Sequence, residues 1–323
     1  MYLAPDGDEI EIANAAADFL ADALSIERLH HTDSADLKPD LRKSLGEMGW
    51  YALAVPEALG GSGLSAIEHV LFFREAGRQC APVDLLSQCL AANAIADADL
   101  RQAVIAGETG VALLVTDGQG YRLFGSPEAS HALLVGPEET HLYALAGVAT
   151  EPRPALDPAN SIRVLAQLPV PLESRQGADI WQLGQLGTSA MLVGIAEAAL
   201  DLIVEYAKVR ETFGRKIGTY QAVRHPCADM AVRVEAARAQ LWYAATALKE
   251  GRADALAHLD AAKHLANHAA NANADANIQL HGGIGVTDEH DAHLLMKHAL
   301  VLARLFGSKR GLLSRLLNAR LED

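Results

Sequence analysis

The sequence predicts a mainly α-helical protein with a central β domain, arranged as three blocks. Apolar residues recur at helical spacing from about Glu9 to Ile95, and again from about Asp179 onward. Between about 108 and 175 the pattern changes to short apolar or alternating runs divided by Gly, Pro and Asp clusters, which is strand spacing. Half of the 323 residues are hydrophobic but only 5% are aromatic. Alanine and leucine therefore supply most of the apolar surface, which favours helix. The expected domains are an N-terminal helical domain over 1–107, a small antiparallel β domain over 108–178 and a C-terminal four-helix bundle over 179–323.

In the first block, Glu11 to Leu24 and Leu37 to Met48 carry apolar residues at helical spacing. Val55-Pro56 and Gly60-Gly61-Ser62-Gly63 interrupt it. Ser65 is the expected N-cap of the next helix, with Glu68 completing a capping box, and that helix runs to about Gly77. Val111 to Val115, Tyr121 to Phe124, Ala132 to Val135, His141 to Leu145 and Ser161 to Leu165 are the expected strands. Thr188 to Arg210, Pro226 to Glu250, Asp254 to Asn277 and Glu289 to Leu305 are the expected bundle helices.

Asp plus Glu number 41 against 27 Lys plus Arg, a formal charge of −14. Such a chain is a poor non-specific nucleic-acid binder, although a local basic cluster can still hold an anion. Cys80, Cys89 and Cys227 form no CxxC pair, so free thiols in a reducing compartment are expected. The stretch Met1 to Glu9 has no basic region followed by an apolar run, and no window approaches ~18 uninterrupted apolar residues. A cytoplasmic protein with no membrane or nucleic-acid partner is the expectation.

Two segments break the late helical pattern with groups a packed helix does not need. The first runs from Val209 to His225 and holds Arg210, Phe213, Gly214, Arg215, Lys216, Gly218 and Gln221. A glycine turn flanked by three cations offers close backbone approach and positive charge, as a pyrophosphate requires. Arg210 alone reads equally as a cation at the negative end of a helix dipole. The second segment, Gln279-Leu-His-Gly-Gly-Ile-Gly-Val-Thr287, places adjacent glycines where a ligand can lie against backbone, or where two helices simply turn. His264 and His268 are four apart, and His290 and His293 flank Asp291 at a spacing of three; such spacings can ligate zinc. The plainer reading is a polar stripe with Lys263, Asn267 and Asn271, and a helix start capped by Thr287 or Asp288. No metal site is assigned. Neither a nucleophile elbow nor a G-x-G-x-x-G turn after a strand is present.

Together with Gly49-Trp-Tyr-Ala-Leu-Ala-Val-Pro-Glu-Ala-Leu-Gly-Gly-Ser-Gly-Leu-Ser65, these segments resemble three signatures of the acyl-CoA dehydrogenase family, in the family's order. The resemblance implies the same α–β–α succession and FAD as cofactor. It places Arg210 at the dinucleotide's phosphate or ribose, and Phe213 and Gln221 near the adenosine half. Gln279, Gly282 and Gly283 match a second dinucleotide contact, usually made to the flavin of a neighbouring subunit, so at least a dimer is implied. The implied activity is α,β-dehydrogenation of an acyl-CoA thioester, an oxidoreductase reaction on a CH–CH group in lipid or steroid catabolism. Electrons would pass to an electron-transfer flavoprotein or similar acceptor. Compared with the family, the β block is short and the chain ends early.

In the family a carboxylate removes the α proton while the flavin accepts the β hydrogen as hydride. Gap-free counting puts its two familiar locations on Phe306 and near Gly184. No Asp or Glu occurs over 180–196 or 292–321, and Asp179 is the acid nearest Gly184. No catalytic residue is assigned. The resemblance narrows to short partner subunits of heteromeric steroid side-chain dehydrogenases, with a heterotetramer as the expected assembly. A homomeric enzyme with a relocated base, and a non-enzymatic flavin-binding or assembly relative, remain open.

Overall fold

The computed structural model describes residues 5–31, 37–116, 118 and 120–321. The first four residues of the N-terminal stretch considered for a leader lie outside this set. In chain order the helices are α1 (Gly7–Ala23), α2 (Pro39–Glu47), α3 (Ala66–Arg78), α4 (Val83–Ala94), α5 (Ala98–Ile105), α6 (Asp179–Val209), α7 (Gln221–Lys249), α8 (Ala255–His281), α9 (Ala292–Leu302) and α10 (Lys309–Asn318). The strands are β1 (Val111–Thr116), β2 (Tyr121–Phe124), β3 (His131–Val135), β4 (Glu139–Ala144), β5 (Glu151–Arg153), β6 (Ile162–Leu165), β7 (Glu173–Gln176), β8 (Glu211–Thr212) and β9 (Arg215–Lys216). The chain divides into two compact units, and α3 and α6 each pass from one into the other.

The sheet-bearing unit comprises His31–His69 and Ala81–Gly184. Its seven strands are ordered β5-β6-β2-β1-β3-β4-β7. Every pairing is antiparallel except β1 with β3, which is parallel in the register Val111↔His131. The sheet is thus the expected antiparallel one except at this single pair. After the β1–β2 hairpin, residues 125–130 carry the chain to the other edge of β1, so β3 must run in the direction of β1. The strands β5 and β7 were missed because they are short, polar edge strands with no apolar alternation. Ala112, Leu114, Leu123, Ala132, Tyr143 and Leu165 form the core of the sheet. The polar run in α4 is buried because it satisfies backbone groups nearby. Ser87 donates to the Val111 carbonyl. Gln88 donates to the Val104 and Thr109 carbonyls and accepts from the Val111 amide. Ser65 starts α3 as expected: its hydroxyl accepts from Ile67 N–H at 3.1 Å, and Glu68 accepts from Ser65 N–H at 2.7 Å.

The helical unit comprises residues up to His30, Val70–Cys80 and Gln185–Asp323. Its bundle is built from α6, α7, α8 and the shorter α9, with α10 added against α8. Helix α6 is its core: Leu186, Met191, Leu192, Val193, Ile195 and Ile203 are fully buried. By length and composition α6 alone among the described helices could cross a membrane, but 72% of its most apolar window is buried within the protein. Glycines bring α3 and α6 into backbone contact. A Cβ on Gly77 would lie 2.0 Å from the Met191 carbonyl oxygen, and one on Gly194 would lie 2.0 Å from that of Arg74. Helix α7 begins at Gln221, not at Pro226 as expected; the proline falls in an early turn and removes one backbone bond without ending the helix. On α8, Asp260 accepts from Arg315 Nε and Nη2 of α10 and from Gln185 of α6, all at 2.7 Å.

Candidate functional site

Strands β8 and β9 form a two-residue hairpin with Phe213 at φ +50° and Gly214 at φ +78°. Positive φ at both central residues is the geometry that matches strand twist in such a turn. A phenylalanine is a costly residue to put there, and its ring is 97% exposed. The two basic residues expected to face a pyrophosphate make contacts within the hairpin itself. Arg215 stacks over the Tyr220 ring at 4.1 Å. Lys216 lies 2.7 Å from Glu211 and donates to the Val209 carbonyl at 3.1 Å. Arg210, just past the end of α6, is exposed, and among the described residues its guanidinium has no ion pair or hydrogen bond. Gln221 is exposed at the first position of α7.

The glycine segment follows α8. Gln279 is exposed, and Gly282 turns the chain at φ +67°. A Cβ on Gly282 or Gly283 would meet nothing within 4 Å, whereas one on Gly285 would lie 2.8 Å from the Ile278 carbonyl oxygen. Gly285 is thus the glycine that packing requires, and Gly283 leaves bare backbone at the surface. Neither Thr287 nor Asp288 caps α9, contrary to expectation. The N-cap position is Asp291, and the His290 ring accepts from Ala292 N–H at 3.1 Å.

Within the helical unit the two segments meet through residues the sequence reading did not nominate. The Tyr206 ring lies 4.5 Å from that of His281, and His281 lies 4.4 Å from His290. Tyr206 is one turn before Arg210, whose amide donates to the Tyr206 carbonyl at 2.9 Å. His281 Nδ1 is 2.8 Å from the Asn277 carbonyl, while its Nε2 and both amide atoms of Asn277 are buried without a hydrogen-bond partner among the described residues. Burial holds the His281 imidazole below its ordinary pKa. Next to this stack, His30 Nε2 is 2.6 Å from Asp291, a hydrogen bond that raises the His30 pKa. All six nominated residues, Arg210, Phe213, Gln221, Gln279, Gly282 and Gly283, are solvent-exposed in the single chain.

The two positions where the family resemblance places a carboxylate are apolar. Phe306, in the turn after α9, is 6% exposed at φ +53°, followed by Gly307 at φ +128°. Gly184 is inside α6. The acids nearest in sequence are engaged. Asp179 is half exposed and paired with Arg175. Glu197 is held 3.4–3.6 Å from Arg74, Arg78 and Arg238. Its burial raises its pKa and the arginines oppose that rise.

Family models described as the acyl-CoA dehydrogenase N-terminal and C-terminal domains match residues 6–114 and 181–319. The acyl-CoA dehydrogenase IpdE2 of Mycobacterium tuberculosis is 34% identical over 275 residues, covering 84% of this chain and 83% of that protein. The acyl-CoA dehydrogenase FadE34 of the same organism is 34% identical over 283 residues, covering 82% of this chain; the match spans 40% of FadE34. Among solved structures, the Tcur3481-Tcur3483 steroid ACAD superposes with a TM-score of 0.80 at 25% identity, covering 96% of this chain and 97% of that one.

Proposed function

Because the chain belongs to the acyl-CoA dehydrogenase family, we propose that it is an FAD-binding subunit of a heteromeric acyl-CoA dehydrogenase, without a catalytic carboxylate of its own. Members of the family are oxidoreductases acting on CH–CH groups. The observation that carries the reading is the base turn. Phe306 occupies it as a buried apolar residue, and no Asp or Glu occurs over 292–321 or 180–196. A base for a weakly acidic α proton must be desolvated and free of a cation partner. Asp179 is exposed and ion-paired, and Glu197 is ringed by arginines, so neither meets both conditions.

The residues fit a flavin dinucleotide. Arg210 supplies a free cation for its phosphates, and Gly283 supplies bare backbone for close approach. The unpartnered Asn277 amide and His281 Nε2 beside them supply hydrogen-bonding capacity that the chain itself leaves unused. Exposure of all six nominated residues agrees with a cofactor shared with a second subunit. When bound, FAD accepts hydride from the β carbon of the acyl group. This chain's residues orient and retain the cofactor, while removal of the α proton falls to a carboxylate on the partner. The name of the Tcur3481-Tcur3483 steroid ACAD carries two components, which favours an unlike partner and a bulky acyl group. An electron-transfer flavoprotein is the proposed acceptor and the cytoplasm the proposed location.

The test is turnover with an artificial electron acceptor, across acyl-CoAs that include bulky ones, with and without a related subunit that has an acid in the base turn. Activity should appear only with the partner, since a missing general base costs roughly 10²–10⁴-fold. Full turnover by the chain alone, abolished by Asp179→Asn, would identify a relocated base and overturn the proposal.

A further inference from the structure

His30 joins two parts of the helical unit that are far apart in sequence. It ends the short helical turn Ile26–His30, which is clamped to the end of α3. Arg28 Nη1 donates to the Gln79 carbonyl at 2.9 Å and Nη2 to that of Cys80 at 2.6 Å, and the Ile26 amide donates to Gln79 Oε1 at 3.2 Å. From this base the His30 ring reaches the loop between the glycine turn and α9. Its Nδ1 is 2.7 Å from the Asp288 carbonyl oxygen, and its Nε2 is 2.6 Å from Asp291 Oδ1.

The two partners fix the state of the ring. A carbonyl oxygen and an ionised carboxylate are acceptors only. A neutral imidazole has one N–H, so it would turn a lone pair toward one of them. Only the imidazolium donates to both, and its bond to Asp291 is then charge-assisted, in keeping with the short distance. That bond raises the His30 pKa; partial burial opposes the rise, and the Asp288 carbonyl adds to it. The other charges facing the ring divide by sign. Glu27 on its own turn and Glu289 on the loop favour the cation. His290 on the loop and His293 on α9, whose ring meets His30 edge-on at 6.4 Å, would repel it if charged, but burial holds both below the ordinary histidine value.

The loop passes this hold to the glycine turn. Thr287 bonds twice to the Ile284 carbonyl, through its amide at 3.1 Å and its hydroxyl at 3.0 Å. His290 stacks 4.4 Å from His281, the last residue of α8. At Gly282 and Gly283 nothing packs closely enough to touch a Cβ, so this part of the turn relies on those contacts for its position.

We propose that His30, as an imidazolium, is a proton-operated latch between the N-terminal turn and the loop after the glycine turn, closed while the proton is held and opened by its loss as pH rises. The linkage has one sign. A histidine whose folded pKa lies above 6.5 contributes stability that is complete below 6.5 and disappears as pH rises through the folded value. Opening frees residues 282–291 and leaves α8 and α9 in place. The latch stands without the flavin assignment; where that assignment holds, flavin retention should fall as the latch opens.

The test uses the full chain without cofactor. Histidine nitrogen NMR should show His30 doubly protonated, with a titration midpoint above 6.5. Asp291→Asn, which keeps an acceptor but removes the charge, should lower that midpoint. Hydrogen exchange read by mass spectrometry, corrected for the intrinsic pH dependence of exchange, should show amides of 282–291 losing protection as pH rises through the same midpoint. In Asp291→Asn the loss of protection should move down with it. His30→Gln should speed their exchange roughly tenfold or more on the acid side of the midpoint, as for loss of a hydrogen bond to a charged group. Unchanged exchange in α6 and α7 shows that the variants remain folded. His225→Gln, exposed on α7, should alter neither reading. A midpoint at or below 6.5, a midpoint unmoved in Asp291→Asn, or protection of 282–291 indifferent to pH would each overturn the latch. Failure to bind flavin with the exchange effect intact would instead remove the flavin assignment and leave the latch standing.

Discussion

Replacing Lys263 with methionine should stabilise the protein near neutral pH, and the gain should fade as pH rises. Lys263 is fully buried on α8, and its Nζ donates to the Leu302 carbonyl at 2.9 Å, at the end of α9. Burial lowers its pKa from 10.5 to about 7. Between these two values the unfolded chain holds a proton at this site that the folded chain lacks. Stability therefore rises with pH across that window, by up to ~1.4 kcal/mol per unit, and the full penalty applies below about pH 7. The whole shift corresponds to about 5 kcal/mol as an upper bound. Replacement of a buried charged group by an apolar one of similar volume usually returns ~1–4 kcal/mol. Leu302 would not be orphaned, because its carbonyl also accepts from Leu305 N–H at 3.1 Å. Lys263→Met should thus gain ~1–4 kcal/mol at pH 6 and little near pH 10. Urea unfolding followed by far-UV circular dichroism, at fixed subunit concentration from about pH 6 to about pH 10, measures both. Parallel pH profiles for the two proteins, or a less stable variant at pH 6, would refute the reasoning.

Other expected outcomes follow from single contacts. Gly77→Ala should destabilise by more than the ~1–3 kcal/mol usual for an extra methylene, because its Cβ would sit 2.0 Å from a backbone oxygen on α6. Gly7→Ala, whose Cβ meets nothing within 4 Å, should be neutral in the same thermal melt. Arg210→Ala should lose flavin on gel filtration more readily than Lys249→Ala, whose one ion pair among the described residues is a 3.7 Å contact with Glu9; equal retention would remove the case for Arg210. Gly283→Val should leave the circular dichroism spectrum unchanged, since the position is open, yet lower flavin retention by covering backbone.

The fold was legible where burial imposes a period. Long Ala/Leu helices and five alternating runs could be read directly, because one face of each must be apolar to be buried. Strands β5 and β7 were not legible, since edge strands are held by backbone pairing and carry no apolar face. The parallel β1–β3 pairing was equally hidden: direction depends on the crossing of residues 125–130, and no side chain reports it. For the candidate site, glycines and cations marked the two segments as unlike packed helix. They could not reveal that Arg215 and Lys216 spend their charge inside the hairpin. Tyr206 and Asn277 were missed because, at helical positions, an aromatic and an amide read as ordinary core and polar stripe. Only the meeting of α6 with α8 makes Tyr206 a neighbour of the glycine segment, and Asn277 is joined to it through His281, one turn on along α8.

The turn after α9 bears most directly on the proposed division of labour. A non-glycine residue at φ +53° is strained, and such strain persists only where surrounding structure fixes it. Both ends of this turn are fixed. Lys263 holds the Leu302 carbonyl at the end of α9, and Asp260 grips Arg315 on α10 through two 2.7 Å bonds. Gly307 at φ +128° completes a conformation that few sequences tolerate. The chain thus keeps the held geometry of a turn that would aim a side chain, while the side chain aimed is a buried phenylalanine. Decay of an unused catalytic turn would be expected to relax the backbone and free the buried lysine and aspartate first, since each imposes a desolvation cost. On the proposed division of labour, the turn serves the shape of this subunit, and Phe306 is an apolar filler in it. Phe306→Glu should therefore confer little activity on the chain alone, because a single acid in this turn lacks the partner's half of the site. Turnover within roughly tenfold of the two-subunit enzyme from that one substitution would show that this chain already contains everything but the base.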